Sequence, residues 1–272
     1  MPLPDLPEPA DLHAQFSRDH RLDWGEPIPT AVQIAGEFGT DATAESLELL
    51  HRMIVHHSHA TRDVIDSIRP GDTTYELEHR IKSPASLARK IWKYRSLKAT
   101  PPLDDVVRFT VVAKRPECLV ESVRETVDQL RTKGWAVESA HQSYVEGTRY
   151  KGIHAIMRTS SGARAELQFH SPESIRVKTQ TTSLYHTERD PRQSRTARDA
   201  ASAEAVQLSA LMEQPAGIED LTQLGGVPVE PRRYGSPSRQ GKHRAPMGSQ
   251  PSAGNTKGPA RQRDVEDDRR AR

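Results

Sequence analysis

The chain has 272 residues, 34% of them hydrophobic and 5% aromatic, and a formal net charge of +2. That length admits one generous domain with extensions, and the low apolar share implies that part of the chain buries little. A single cysteine, Cys118, excludes a disulfide framework or thiolate metal site within one chain. No run approaches the roughly 18 apolar residues of a membrane span, and "MPLPDLPEPADLH" lacks the blocks of a signal peptide. A soluble, cytoplasmic protein without membrane partners is the expectation.

Residues 1–43 hold several prolines and little periodicity, and read as a loosely ordered lead-in. From Ala44 to Ile68, Leu47, Leu50, Ile54, Val64 and Ile68 recur at helical spacing, with a possible break near Ser58. "YELEHRIK" (75–82) alternates and predicts a short strand. Ser83 followed by Pro84 then signals a helix start, with the helix running to about Lys93. "DDVVRFTVVA" (104–113) reads as a buried strand, and residues 116–133 as a helix stopped by Gly134. "WAVESAHQS" predicts a strand, and "GIHAIMRTSSGARAELQFH" two strands joined at Ser161-Gly162. Ser171-Pro172 repeats the helix-start signal for a helix towards Tyr185, and a last helix is predicted from about Thr196 to Met212.

Residues 214–272 are rich in turn-formers and cations and read as a disordered tail. From Pro231 to Arg272, eleven Lys and Arg against four Asp and Glu give +7, which leaves −5 for the rest. The pattern predicts an α+β fold around a mixed sheet of four to five strands, spanning 44–213, followed by that tail. The tail could contact tRNA or another RNA through a salt-sensitive, sequence-independent term, or only solubilise the chain.

"HRIKSPASLARKI" (79–91) concentrates the chemistry. A helix N-terminus offers unpaired N–H groups and a partial positive charge, which attract phosphate. Arg80 and Lys82 approach it, Ser86 lies in its first turn, and Lys90 follows one turn on. A polyphosphate cradle is one outcome, and a solvated basic helix face is the other. In "ARAELQFH", Ala163, Ala165, Leu167 and Phe169 alternate with Arg164, Glu166, Gln168 and His170. The second set lines either a half-exposed strand or a site. Asp104 opens the other strong strand, and carboxylates at strand ends can hold Mg²⁺ beside nucleotide phosphates. Tyr150 and His154 add a stacking surface and a polar group. "HHSH" (56–59) reads as a histidine-rich helix surface, since neighbouring positions point in different directions and no Cys or acid clusters with it.

In order, R-x-K-x-x-x-S-x-x-x-K (Arg80, Lys82, Ser86, Lys90), Y-x-x-x-H (Tyr150, His154) and E-x-Q (Glu166, Gln168) resemble the motifs of RelA/SpoT-type (p)ppGpp synthetases, over about residues 75–189. The resemblance implies a nucleotidyltransferase-like fold and a synthesis-only pyrophosphokinase. It implies that Lys82, Ser86 and Lys90 grip the ATP polyphosphate, with Arg80 and Arg108 near the adenine. Asp104 and Glu166 would hold Mg²⁺, and Glu166 would also be general base for a ribose 3′-hydroxyl. Tyr150 would stack on the acceptor base, with His154 and Gln168 beside it. The implied partners are ATP and a guanine nucleotide, and an oligomer is possible. Arg108 stands four rather than five residues after Asp104, and His170 replaces the Arg that usually ends E-x-Q-x-R. Toxin members of the family, which modify the tRNA 3′ end or adenosine nucleotides, offer a second acceptor class. A binding module without turnover is the third reading.

Overall fold

The computed structural model describes residues 6–234. The expected loose lead-in instead contains helix α1 (Pro9–Phe16) and helix α2 (Ala31–Phe38). At 8 residues each they are too short to display a period, yet both carry start signals. Pro9 opens α1, and Thr30 and Gln33 form a capping box at α2. Leu12 and Phe16 are fully buried, so this segment belongs to the core.

Helix α3 (Thr40–Ser67) runs unbroken through Ser58 and buries Leu47, Leu50 and Val64. The strand expected at 75–82 is largely absent. Strand β1 is only Thr73–Thr74, a 3₁₀ turn covers Leu77–His79, and Ile81 alone bridges Val107. Glu76 adopts a left-handed conformation (φ 50°), which breaks the alternation that the sequence suggested. Helix α4 (Pro84–Ser96) starts as expected, with Ser83 Oγ accepting from the Ser86 N–H at 3.3 Å.

Strand β2 is Arg108–Val112; Asp104 and Asp105 precede it in a turn. Helix α5 (Leu119–Thr132) follows, and Gly134 (φ 86°) turns the chain into β3 (Ala136–Gln142). Strands β4 (Ile153–Arg158) and β5 (Arg164–His170) form the expected pair. Where one helix was expected after Ser171 there are two, α6 (Pro172–Gln180) and α7 (Thr182–Arg189); α8 (Arg195–Ala210) is capped by Ser194. Strands β6 (Gln223–Leu224) and β7 (Val227–Pro231) come from the segment expected to be tail. Residues 235–272, with the disorder and RNA contact expected of them, lie outside the described residues.

The result is an α+β fold on one mixed sheet of order β1-β2-β5-β4-β3-β7-β6. Strands β2 and β5 are parallel, as are β3 and β7; the other pairs are antiparallel. The sheet has seven strands rather than the expected four to five: β1 and β6 are two-residue edges, and β7 carries two prolines. Val111, Leu167, Phe169, Ile153, Ala155 and Met157 give the core face, with exposures of 0%. The opposite face carries the polar residues of β2, β5, β4 and β3.

Candidate active site

Two strand registers bring the polar side chains together. Arg108 on β2 lies beside Glu166 on β5, and Gln168 on β5 opposes His154 on β4. His154 in turn opposes His141 on β3. Residues 80–82 run along the part of the β2 edge that β1 does not reach: Arg108 N donates to Arg80 O at 2.8 Å, and Lys82 N to Val106 O at 2.9 Å. From Lys82 across β2 to Glu166 is two strand spacings, or roughly 10 Å.

At the cation end, Lys82 Nζ donates to Asp105 Oδ2 at 2.5 Å and Lys90 Nζ to Asp105 Oδ1 at 2.8 Å. Lys90 lies on α4 one turn after half-buried Ser86, which stands in the first turn of that helix. Desolvation would raise the Asp105 pKa, but the two lysine hydrogen bonds outweigh it and hold the group below its ordinary value. Burial lowers the Lys82 pKa, against the pull of Asp105. Asp105 therefore holds two ammonium groups together where they would otherwise repel.

Arg80 does not join them. Its side chain is 1% exposed, and its guanidinium donates to the carbonyls of Phe16, His20, Arg21 and Leu77 at 2.8–3.2 Å. It fastens the end of α1 to the sheet edge, and its guanidinium is occupied by these backbone carbonyls. Nor does Asp104 share a strand face with Arg108, because the turn at 104–105 ends the alternation. Its carboxylate accepts from Arg164 at 3.3 Å, both side chains being substantially exposed.

At the carboxylate end, Glu166 Oε1 accepts from His154 Nδ1 at 2.8 Å. Burial pushes the Glu166 pKa up, yet hydrogen bonds from His154 and Gln168 and the charge of Arg108 prevail, leaving it below the usual value. His154 Nε2 lies 3.0 Å from the Tyr150 hydroxyl, which lies 2.8 Å from His170 Nε2. His170 Nδ1 is 2.9 Å from Ser174 Oγ. His141 stacks on His154 at 4.7 Å, and its Nε2 is 2.8 Å from the Tyr234 hydroxyl. Burial and the neighbouring His154 and Arg232 bring the His141 pKa down to about 4. Burial also drives the His170 pKa well down and the Tyr150 pKa well up.

Of the expected site residues, the structure brings Lys82, Ser86 and Lys90 to one end, and Arg108, Tyr150, His154, Glu166 and Gln168 to one sheet face. Three participants were not singled out. Asp105 adjoins Asp104 with nothing in the sequence to tell the two apart, and His141 and Tyr234 lie outside the motifs along the chain. The alternation of Ser139 and His141 about the apolar Ala140 in "WAVESAHQS" was the available signal for His141.

No protein-family model and no curated protein matches the chain. Among solved structures, the small alarmone synthetase 1 of Bacillus subtilis bound to its product pppGpp is 18% identical, with a TM-score of 0.37, over 60% of this chain and 96% of that one. The type VI effector Tas1, in complex with its immunity protein, is 17% identical at a TM-score of 0.33, over 62% and 93%. A GTP pyrophosphokinase family protein from Streptococcus pneumoniae is 17% identical at a TM-score of 0.35, over 66% and 88%. The solved structures to which this chain is similar thus include alarmone and GTP pyrophosphokinase proteins and an effector, all at low identity.

Proposed function

We propose that the protein is an ATP-dependent pyrophosphokinase that transfers the β,γ-pyrophosphate of ATP to the 3′-hydroxyl of GDP or GTP, releasing AMP. The observation that carries this reading is the placement of the Lys82–Asp105–Lys90 cluster and ionised Glu166 on either side of one strand. A polyphosphate held by the two lysines and the α4 N-terminus can present its β-phosphorus to an acceptor resting on Glu166.

Lys82 and Lys90 exchange Asp105 for phosphate oxygens and offset the charge that builds on them. Arg108 stands beside Glu166 in register and adds positive charge near the reacting centre. Glu166 takes the proton of the attacking hydroxyl, and His154 holds its Oε1 at 2.8 Å. Tyr150, with His154 and Gln168 behind it, forms the wall for the acceptor.

Asp104 and Glu166 also fit a divalent ion. Glu166 keeps its charge, and the exposed Arg164 partner of Asp104 is displaced at little cost. Mg²⁺ is commonly held by one or two carboxylates together with water and phosphate oxygens. When bound, such an ion supplies further neutralisation of the phosphates.

The test is incubation with Mg²⁺ and ATP labelled in the β-phosphate, offering GDP, GTP, ATP or bulk tRNA separately. Label on a guanine nucleotide supports the proposal. Label confined to an adenosine nucleotide or RNA replaces the acceptor, and ATP binding with no labelled product rejects the reaction.

A further inference from the structure

Four cations gather on or beside the polar face of the sheet, and two of them have a partner: Lys82 and Lys90 share Asp105. The other two, Arg108 and Lys178, are half-buried. Among the described residues, neither side chain has a carboxylate or other acceptor within hydrogen-bonding distance. Lys178 comes from the second half of α6, and its Nζ lies 5.5 Å from the centre of the Tyr75 ring. A ring face attracts an ammonium without using its N–H groups, so all three donors remain available.

The backbone fixes where this ammonium stands relative to the lysine pair. Lys82 N donates to Val106 O and Tyr75 N to Thr110 O, both at 2.9 Å. Those two points are four residues apart on one strand path, about 13 Å at full extension. Arg108 lies midway, beside Glu166, and Thr110 pairs with Gln168. Burial and the charge of Arg108 lower the Lys178 pKa, with Glu76 and Glu166 opposing them, so the ammonium lies within electrostatic reach of both Arg108 and Glu166. The order along the face is lysine pair, then Arg108 with Glu166, then Lys178. Two half-buried cations that repel each other and lack acceptors are stabilised by an anion resting between them.

The proposed reaction indicates which anion. The donor polyphosphate takes the lysine pair, and the acceptor hydroxyl takes Glu166, so positive charge beyond Glu166 is left for the acceptor itself. In a nucleotide the 5′-phosphates hang from the ring carbon next to the one bearing the 3′-hydroxyl, on the opposite face of the sugar. An acceptor with its 3′-hydroxyl at Glu166 can therefore extend them towards Lys178. We propose that Lys178, together with Arg108, binds the 5′-diphosphate of the acceptor, and so selects a nucleoside diphosphate over an unphosphorylated nucleoside. This rests on the reading of Glu166 as the base at the acceptor hydroxyl.

The experiment is calorimetry of the full chain with GDP, guanosine and ATP separately, for the unmodified protein, Lys178→Met and Lys178→Arg. Methionine keeps an apolar stem against Tyr75 and removes the charge; arginine restores it. Lys178→Met should weaken GDP binding about 10–100-fold and leave the Kd for guanosine and for ATP unchanged, and Lys178→Arg should recover most of the loss. Unaltered GDP affinity in Lys178→Met, or a loss shared equally by guanosine, overturns the proposal. A loss confined to ATP assigns Lys178 to the donor and overturns it too, as does an unmodified protein that binds GDP no more tightly than guanosine. If Lys178→Met fails to fold, lysine acetylation of the unmodified protein, followed by mass spectrometry, decides: GDP should shield Lys178 where guanosine does not, and equal labelling rejects the subsite. If no acceptor is ever labelled in the transfer assay, the reaction falls, while GDP affinity and the shielding of Lys178 still report on the subsite by themselves.

Discussion

Arg80 and Lys82 are two residues apart in one motif, and the structure gives them different tasks. Arg80 is bonded to four carbonyls in a site 1% exposed to solvent. Arg80→Ala should cost at least ~3 kcal/mol, since charged hydrogen bonds are worth about 1.5–3 kcal/mol each. Denaturant unfolding should show this, and hydrogen exchange should show residues 9–16 opening first. Lys82→Ala should instead spare stability and weaken ATP binding in calorimetry, with Lys90→Ala acting in the same direction. An Arg80→Ala protein of normal stability that binds ATP poorly would return Arg80 to the adenine. Glu166→Gln should reduce transfer by roughly 10²–10⁴-fold while ATP affinity holds, because the lysines and the α4 N-terminus are untouched. The motif spacing made Lys82, Ser86 and Lys90 legible. Arg80 was not, because its partners lie about sixty residues earlier, in a segment whose two short helices leave no periodic trace.

Among the elements, α4 and the β4–β5 hairpin were legible for local reasons: a Ser-Pro start, strict alternation, and a turn at Ser161-Gly162. Strand β7 was not. Its sequence, "VPVEP", contains two prolines and few apolar residues, and it becomes a strand only because the edge of β3 is there to receive it. The pairing is parallel, Ala140 with Val229 and His141 with Glu230, and such partners are distant in sequence by construction. Three further bonds extend it: Arg232 N to Gln142 O at 2.7 Å, Arg149 N to Tyr234 O at 2.9 Å and Tyr234 N to Thr148 Oγ1 at 3.0 Å. A chain shortened to residue 236 should keep its melting temperature and transfer rate. One shortened to residue 226 should lose both, because it bares β3 and removes the hydroxyl beside His141. Equal behaviour of the two would show that β7 contributes nothing to the site.

For the whole molecule, pH acts mainly through buried histidines. His141 has its pKa lowered to about 4, and His57 and His170 are shifted in the same direction by burial. A histidine whose folded pKa lies below its unfolded value near 6.5 binds more protons when unfolded. Stability is therefore full above about 6.5 and falls as pH drops towards 4. The three rings occupy separate elements, α3, β3 and β5, with His57 packed against Phe16 of α1 at 4.6 Å. Acidification should thus loosen α1 and the site together, and melting temperature should fall steadily between pH 7 and pH 5. A flat profile over that range would contradict the burial of these rings.

Because chains are made from the N-terminus onward, the order of the sheet has a temporal meaning. Residues 82–170 supply the lysines, the carboxylate and three histidines of the site, yet Tyr234, which holds His141, is synthesised well after them. Throughout that interval the nascent chain has its reactive groups but an unfinished wall. On the proposed reading of the site, turnover would thus await the synthesis of β7 and Tyr234.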